Sequence, residues 1–233
     1  MAHRTSFAVF IIALSLFFLP PAASTAGVSE DAKVQASTAV IKEIMEIPEN
    51  AIPPSLLASA HGIVIFPDLL KAGFILGGRY GVGVMLIRNE DGFWSNPVFF
   101  RLIGGSIGWQ IGVQSTDVIL VLKSIRSLDQ ICSGKFTLGA DASVAAGPVG
   151  RQAEAGTDIL LRAEILSYSR SRGLFVGLSF EGAAIQVDYG STSAFYNTPG
   201  LLPVEILRNR SVLACPSPAG ELKYVLDWYS KQQ

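Results

Sequence analysis

A chain of 233 residues with 18 Lys and Arg against 19 Asp and Glu carries a formal charge of −1. That balance excludes a nucleic-acid binder resting on a basic excess. With apolar residues at 49% and charged ones at 16%, it also excludes intrinsic disorder and favours a well-buried core.

The N-terminus follows the plan of a secretory signal. His3 and Arg4 give a basic start, and Phe7 to Leu19 is apolar apart from Ser15. Pro20 and Pro21 stop the run, because proline lacks an N–H and clashes with the preceding turn. Ser24-Thr25-Ala26 fits the small-x-small rule, so residues 1–26 are expected to be a signal peptide cleaved after Ala26. The apolar run is shorter than the roughly 20 residues that a spanning helix needs. No cysteine lies near the cleavage site to carry a lipid anchor. The expectation is a soluble, exported chain of residues 27–233, periplasmic or extracellular, forming a single domain.

Ser29 before Glu30 and Asp31 is a helix start: a capping hydroxyl, then acids at the positive end of the dipole. Val34, Ile41, Ile44 and Met45 recur at helical spacing, predicting an amphipathic helix over 30–46. Pro53 and Pro54 open a second, short helix through Ala60, which Gly62 closes. Ile63 to Phe66 reads as a buried strand ending at Pro67.

A β-rich core is expected over about 63–188. Arg79 to Arg88 and Phe93 to Ile103 flank Asn89-Glu90-Asp91-Gly92, a hairpin signal. Asp117 to Leu122 is a further strand, Ser127 to Ile131 a short helix, and Lys135 to Ala140 a strand. Ala163 to Ser169 and Leu174 to Val187 flank a second hairpin turn, Arg170-Ser171-Arg172-Gly173. The tail returns to helix over 203–231, where Leu222, Val225, Leu226 and Tyr229 share one face. Gly77-Gly78, Gly81 and Gly83 recur in outline as Gly104-Gly105, Gly108 and Gly112. Glycine inside strands marks bulges, bends or close backbone approach. The fold class that follows is α+β: a curved, glycine-rich antiparallel sheet or partial barrel, with N- and C-terminal helices packed on it.

Catalytic signals are sparse. Gly104-Gly105-Ser106-Ile107-Gly108 matches GxSxG, which in an α/β-hydrolase sets serine on a strand-to-helix elbow with histidine later in the chain. Here His61 precedes Ser106, and Gln110-Ile111-Gly112 continues a strand, so a serine hydrolase through Ser106 is a remote alternative. No metal-ligand cluster and no cofactor motif is present, and Cys132 and Cys215 could pair as a structural disulfide or remain free. Lys71, Arg79, Arg88 and Arg101 gather around the first hairpin, and Arg170 and Arg172 sit on the second turn. Arginine forks suit phosphate oxygens, and the apolar glycine-rich strands beside them suit acyl chains. The competing reading is a solvated rim holding carboxylates.

Several ordered motifs carry a resemblance. They are Ala60-His61-Gly62-Ile63-Val64-Ile65-Phe66-Pro67, Lys71-Ala72-Gly73-Phe74, Gly92-Phe93-Trp94-Ser95-Asn96-Pro97 and Gly104-Gly105-Ser106-Ile107-Gly108-Trp109-Gln110-Ile111-Gly112. Leu138-Gly139-Ala140-Asp141, Ala146-Gly147-Pro148-Val149-Gly150-Arg151 and Tyr168-Ser169-Arg170-Ser171-Arg172-Gly173-Leu174-Phe175 follow in order. Over roughly residues 30–230 the chain resembles the SYLF domain family, also described as a yeast-type actin-binding domain family. The resemblance implies binding rather than catalysis, with phosphoinositides and other membrane lipids as ligands and, for some eukaryotic members, actin. It also implies a membrane contact through the N-terminal helix. In this chain that helix carries Lys33 and Lys42 against Glu30, Asp31, Glu43 and Glu46, a balance poorly suited to anionic membranes. Export argues against actin, a cytosolic filament. The expected function is therefore an exported, non-catalytic protein binding phospholipid at or near an envelope membrane surface. The alternative is a structural or protein-interaction module of the envelope.

Overall fold

The computed structural model describes residues 29–49, 51–149, 162–171, 182–208 and 214–232. The expected signal segment and Arg172 lie outside the described residues.

Helix α1 (Glu30–Met45) begins where its cap demands, with the Ser29 hydroxyl accepting the Ala32 N–H at 3.3 Å. Its stripe of Val34, Ile41 and Ile44 is buried. Helix α2 (Pro54–Ser59) starts on proline, whose missing N–H costs nothing in a first turn. Gly62 does not close this helix as expected. The chain is already extended at Ala60, and Gly62 opens strand β1 (Gly62–Ile87). A Cβ on Gly62 would press within 3.1 Å of the Leu122 side chain and 3.3 Å of Leu128.

Pro67 does not end that strand either. A β-bulge between Phe66 and Leu69 absorbs it, with Asp68 at a φ of 52°. The Asp68 N–H donates to a carboxylate oxygen of Asp117 at 3.0 Å, which satisfies the backbone donor the bulge frees. The strand continues to Ile87 and turns at Asn89 to Gly92, where the Gly92 N–H donates to the Asn89 carbonyl at 2.8 Å and φ is 81°. Strand β2 (Val98–Leu122) then returns antiparallel, from Met85↔Val98 to Gly62↔Leu122. The separate segments expected on each side are thus two long continuous strands.

Helix α3 (Ile125–Cys132), strands β3 (Lys135–Thr137), β4 (Val144–Ala146), β5 (Ile165–Ser171) and β6 (Ala184–Val187), and helices α4 (Tyr189–Phe195), α5 (Pro203–Arg208) and α6 (Ser217–Ser230) complete the order. The sheet runs β3-β6-β2-β5-β4, with β1 on the other edge of β2. β5 and β6 do not form the expected second hairpin. Both pair antiparallel with β2, from Leu122↔Ile165 to Thr116↔Ser171 and from Ile103↔Ala184 to Phe100↔Val187. They therefore run in the same direction along one edge of β2. β4 pairs with β5 in parallel, the one such pair among the described residues.

The sheet is buried on both faces near its closed end, so its strands read as unbroken apolar runs. Ile63, Ile65, Ile119 and Val121 pack under α1, α2 and α6 with Ile41, Leu57 and Leu226. Val64, Phe66, Val118 and Leu120 face the other way, toward Leu128 and Ile131 of α3 and Ile206 and Leu207 of α5. These are the α1 face and the α3 face of the sheet. The curvature is tight enough for β1 to approach itself: a Cβ on Gly83 would overlap the Ile65 carbonyl, and one on Gly81 would lie 2.6 Å from the Leu69 side chain. The architecture is the expected α+β one, a curled glycine-rich sheet with helices from both ends of the chain packed on it.

Candidate functional site

The cations anticipated for ligand binding occupy different places. Arg88 leaves β1 between α2, α6 and the hairpin turn. Its guanidinium donates to the carbonyls of Gly92 at 2.7 Å and Leu57 at 3.2 Å and to the Ser230 hydroxyl at 2.9 Å. It also stacks 4.3 Å over the Trp94 ring, with Asp227 at 3.8 Å. Burial depresses its pKa, and Asp227 partly offsets this. Arg170, on β5, bridges the buried Asp117 at 3.0 Å and Glu43 of α1. Both arginines sit partly buried beside carboxylates, Arg88 with Asp227 of α6 and Arg170 with Asp117 and with Glu43 of α1. The guanidinium of Arg101, on β2, faces Asp188 across 3.4 Å and stays 40% exposed. Lys71 pairs in register with Gln114, and Arg79 with Gly104. Burial lowers the pKa of Arg79.

The register of the hairpin assembles a feature that single residues did not reveal. Tyr80 lies directly opposite Ile103, and both project from the α1 face beyond the cover of the helices. They are 49% and 42% exposed. The next pair outward, Gly78↔Gly105, is bare exposed backbone: a Cβ on Gly105 would meet nothing within 4 Å. The next pair inward is Val82↔Arg101. Side chains opposite each other in an antiparallel ladder are neighbours, about 4.5–5.5 Å apart at Cβ. The result is an uncovered strip carrying a phenol, an aliphatic side chain, naked backbone and one half-exposed guanidinium. In the sequence Ile103 adjoins Gly104-Gly105, while Tyr80 lies two residues beyond Gly77-Gly78.

The remaining candidates assemble less. Ser106 lies within β2 opposite Gly77, inside a continuous strand and not on an elbow, while His61 sits at the far end of the ladder beside Leu122. The triad geometry is absent because no strand-to-helix turn follows Ser106. Cys132 and Cys215 are free thiols, so the disulfide that the sequence left open is not formed. Cys132 ends α3 packed against the α3-face core, and burial pushes its thiol up to about 11. Cys215 is exposed ahead of α6. An open groove of about 920 Å³ runs past His61, Arg88, Asn89, Ile125 and Arg208. Its arginines are engaged, Arg208 with Asp129 at 2.5 Å and Arg88 as above. Among the described residues, no three His, Cys, Asp or Glu side chains gather where they could hold a metal ion. No helix among them is long and apolar enough to cross a membrane.

The family model described as Ysc84, Las17-binding protein actin regulator, matches residues 103–229, more than half of the chain. The chain is 32% identical over 199 residues to SH3 domain-containing YSC84-like protein 1 of Xenopus laevis, covering 83% of this chain and 58% of that protein. It is 40% identical over 153 residues to protein YSC84 of Saccharomyces cerevisiae, covering 64% of this chain and 32% of that one. To SH3 domain-containing protein PJ696.02 of Schizosaccharomyces pombe it is 42% identical over 140 residues, covering 59% of this chain and 32% of that protein. The match thus spans from 32% to 58% of the length of these relatives. The chain belongs to the Ysc84, or SYLF, family.

Proposed function

We propose that this chain is an exported, non-catalytic module that binds phospholipid through the uncovered α1 face of its glycine-rich hairpin. The observation that carries this reading is the Tyr80–Ile103 pair, exposed side by side next to bare Gly78 and Gly105 backbone. An apolar strip that no helix among the described residues covers is suited to be an interaction surface. A tyrosine there offers an apolar body and a wet hydroxyl, which suits the boundary between acyl chains and headgroups. Arg101 at its border presents a fork matched to phosphate oxygens. Export rests on the N-terminal segment, with its basic start, apolar run and cleavage after Ala26.

Two measurements on the protein purified from its own envelope test this reading. Sequencing should find a mature N-terminus at Gly27, and native mass spectrometry should find co-purifying phospholipid. An intact N-terminus together with a lipid-free protein would overturn it. A fluorophosphonate probe should leave folded Ser106 unlabelled, and labelling there would restore the hydrolase reading.

A second reading is a protein-interaction module, favoured by the family's description as Las17-binding. The same strip would then dock a protein. A partner retained by delipidated wild-type protein and lost on Ile103→Asp would select this reading. The argument against actin rests on export alone, so the N-terminal measurement bears on it as well.

A further inference from the structure

We propose that helix α6, rather than α1, supplies the membrane anchor, with Tyr224 and Trp228 seated at the headgroup boundary of an anionic phospholipid surface; this rests on the lipid-binding reading above. α1 is not free for the task. Its apolar stripe of Val34, Ile41 and Ile44 is consumed by the core, and the charges around it are mainly acidic.

α6 is organised differently. Leu222, Val225 and Leu226 pack beneath it on the α1 face, the face from which Tyr80 and Ile103 project. On its outer side Tyr224 and Trp228 lie one turn apart, 66% and 56% exposed, and Lys231 follows one turn further at 76% exposure of its side chain. The carboxylates flanking this ridge are neutralised by neighbours. Glu221 is paired with Lys42 at 2.8 Å, and Asp227 lies 3.8 Å from both Arg88 and Lys231. What remains outward is two amphipathic aromatic rings, with the exposed ammonium of Lys231 at their end shared with Asp227.

Trp and Tyr concentrate at membrane–water boundaries because their rings are apolar at one end and wet at the other. A basic residue beside them adds roughly 1 kcal/mol of attraction to an anionic surface. Two aromatic side chains, at about 150–250 Å² each when fully buried, fall well short of the roughly 800 Å² per partner of a stable protein–protein interface. A membrane has no such requirement, and on the lipid-binding reading the Tyr80–Ile103 strip, which projects from the face that α6 packs on, is a second contact.

The test uses the mature chain with vesicles of phosphatidylcholine alone and with phosphatidylglycerol added. The chain also carries Trp94, which is buried, and Trp109, so the fluorescence of Trp228 is isolated by comparison with Trp228→Phe. Wild type should blue-shift and be quenched by brominated lipid more strongly than Trp228→Phe. The double variant Tyr224→Ser with Trp228→Ser should bind anionic vesicles about tenfold more weakly with an unchanged melting temperature, since both residues are exposed. Equal binding by wild type and the double variant would overturn the ridge and leave the lipid reading standing. Absence of any vesicle binding by wild type would overturn both.

Discussion

At Gly83 the curvature of the sheet becomes a steric condition on one atom. A Cβ there would overlap the Ile65 carbonyl, a backbone group that moves only with its strand. Gly83→Ala should therefore cost about 1–3 kcal/mol, the range for overpacking a close-packed site, and urea denaturation reads it directly. An unchanged midpoint would mean that β1 does not fold back on itself at this point. Cys132 makes a second residue-scale prediction. Burial raises its thiol from the usual 9.0 to about 11, so almost no thiolate exists at pH 8. Iodoacetamide should label exposed Cys215 first, and Cys132 labelling should accelerate about tenfold per pH unit until about 11. The sign for stability follows. The unfolded thiol ionises above about 9 while the folded one stays protonated, so this group's contribution is intact below that pH and is lost by about 11. Peptide mapping that finds both thiols equally labelled at pH 8 would contradict this.

Among the elements, the bulge at Pro67 and the tie of α1 to the sheet share one acceptor. Asp117, 2% exposed, accepts from the Asp68 N–H and from Arg170, and Arg170 also reaches Glu43 on α1. Asp117→Ala leaves the Asp68 N–H without its acceptor and Arg170 with only Glu43, a loss on the order of 3–5 kcal/mol. Glu43→Ala removes a half-exposed partner from the same arginine and should cost no more than about 1 kcal/mol. Equal losses in thermal unfolding would show that the tie, not the bulge, matters. This explains why Pro67 misleads in the sequence. A proline usually stops a strand, and only a carboxylate distant in sequence lets the chain continue through it. Helix α4 was illegible for a different reason. Its Tyr189–Phe195 stretch is rich in Gly, Ser and Thr, and the Asp188 that caps it reads as a strand end. The helices that were legible, α1 and α6, carry apolar stripes at helical spacing that tertiary packing uses directly.

For the molecule as a whole, composition and the repeated glycines were enough to anticipate a curled α+β sheet, because glycine in facing strands permits close approach and bending. The uncovered strip proposed to bind lipid was not legible. Tyr80 meets Ile103 because the register that opens at Met85↔Val98 runs unshifted to Ile75↔Gly108, one residue out of step with the Arg88↔Trp94 bridge at the turn, and no local pattern encodes that slip. Conversely, the arginines that looked most like ligand groups, Arg88 and Arg170, are anchored to Asp227, Asp117 and Glu43. Charge spacing in a sequence does not distinguish a free guanidinium from one tied across the fold. The central claim is that the uncovered strip is where phospholipid binds, and flotation of residues 27–233 with anionic liposomes tests it most directly. The account predicts that wild type floats and that Ile103→Asp, folded with a similar melting temperature, stays at the bottom of the gradient. Wild type and variant floating equally would contradict it.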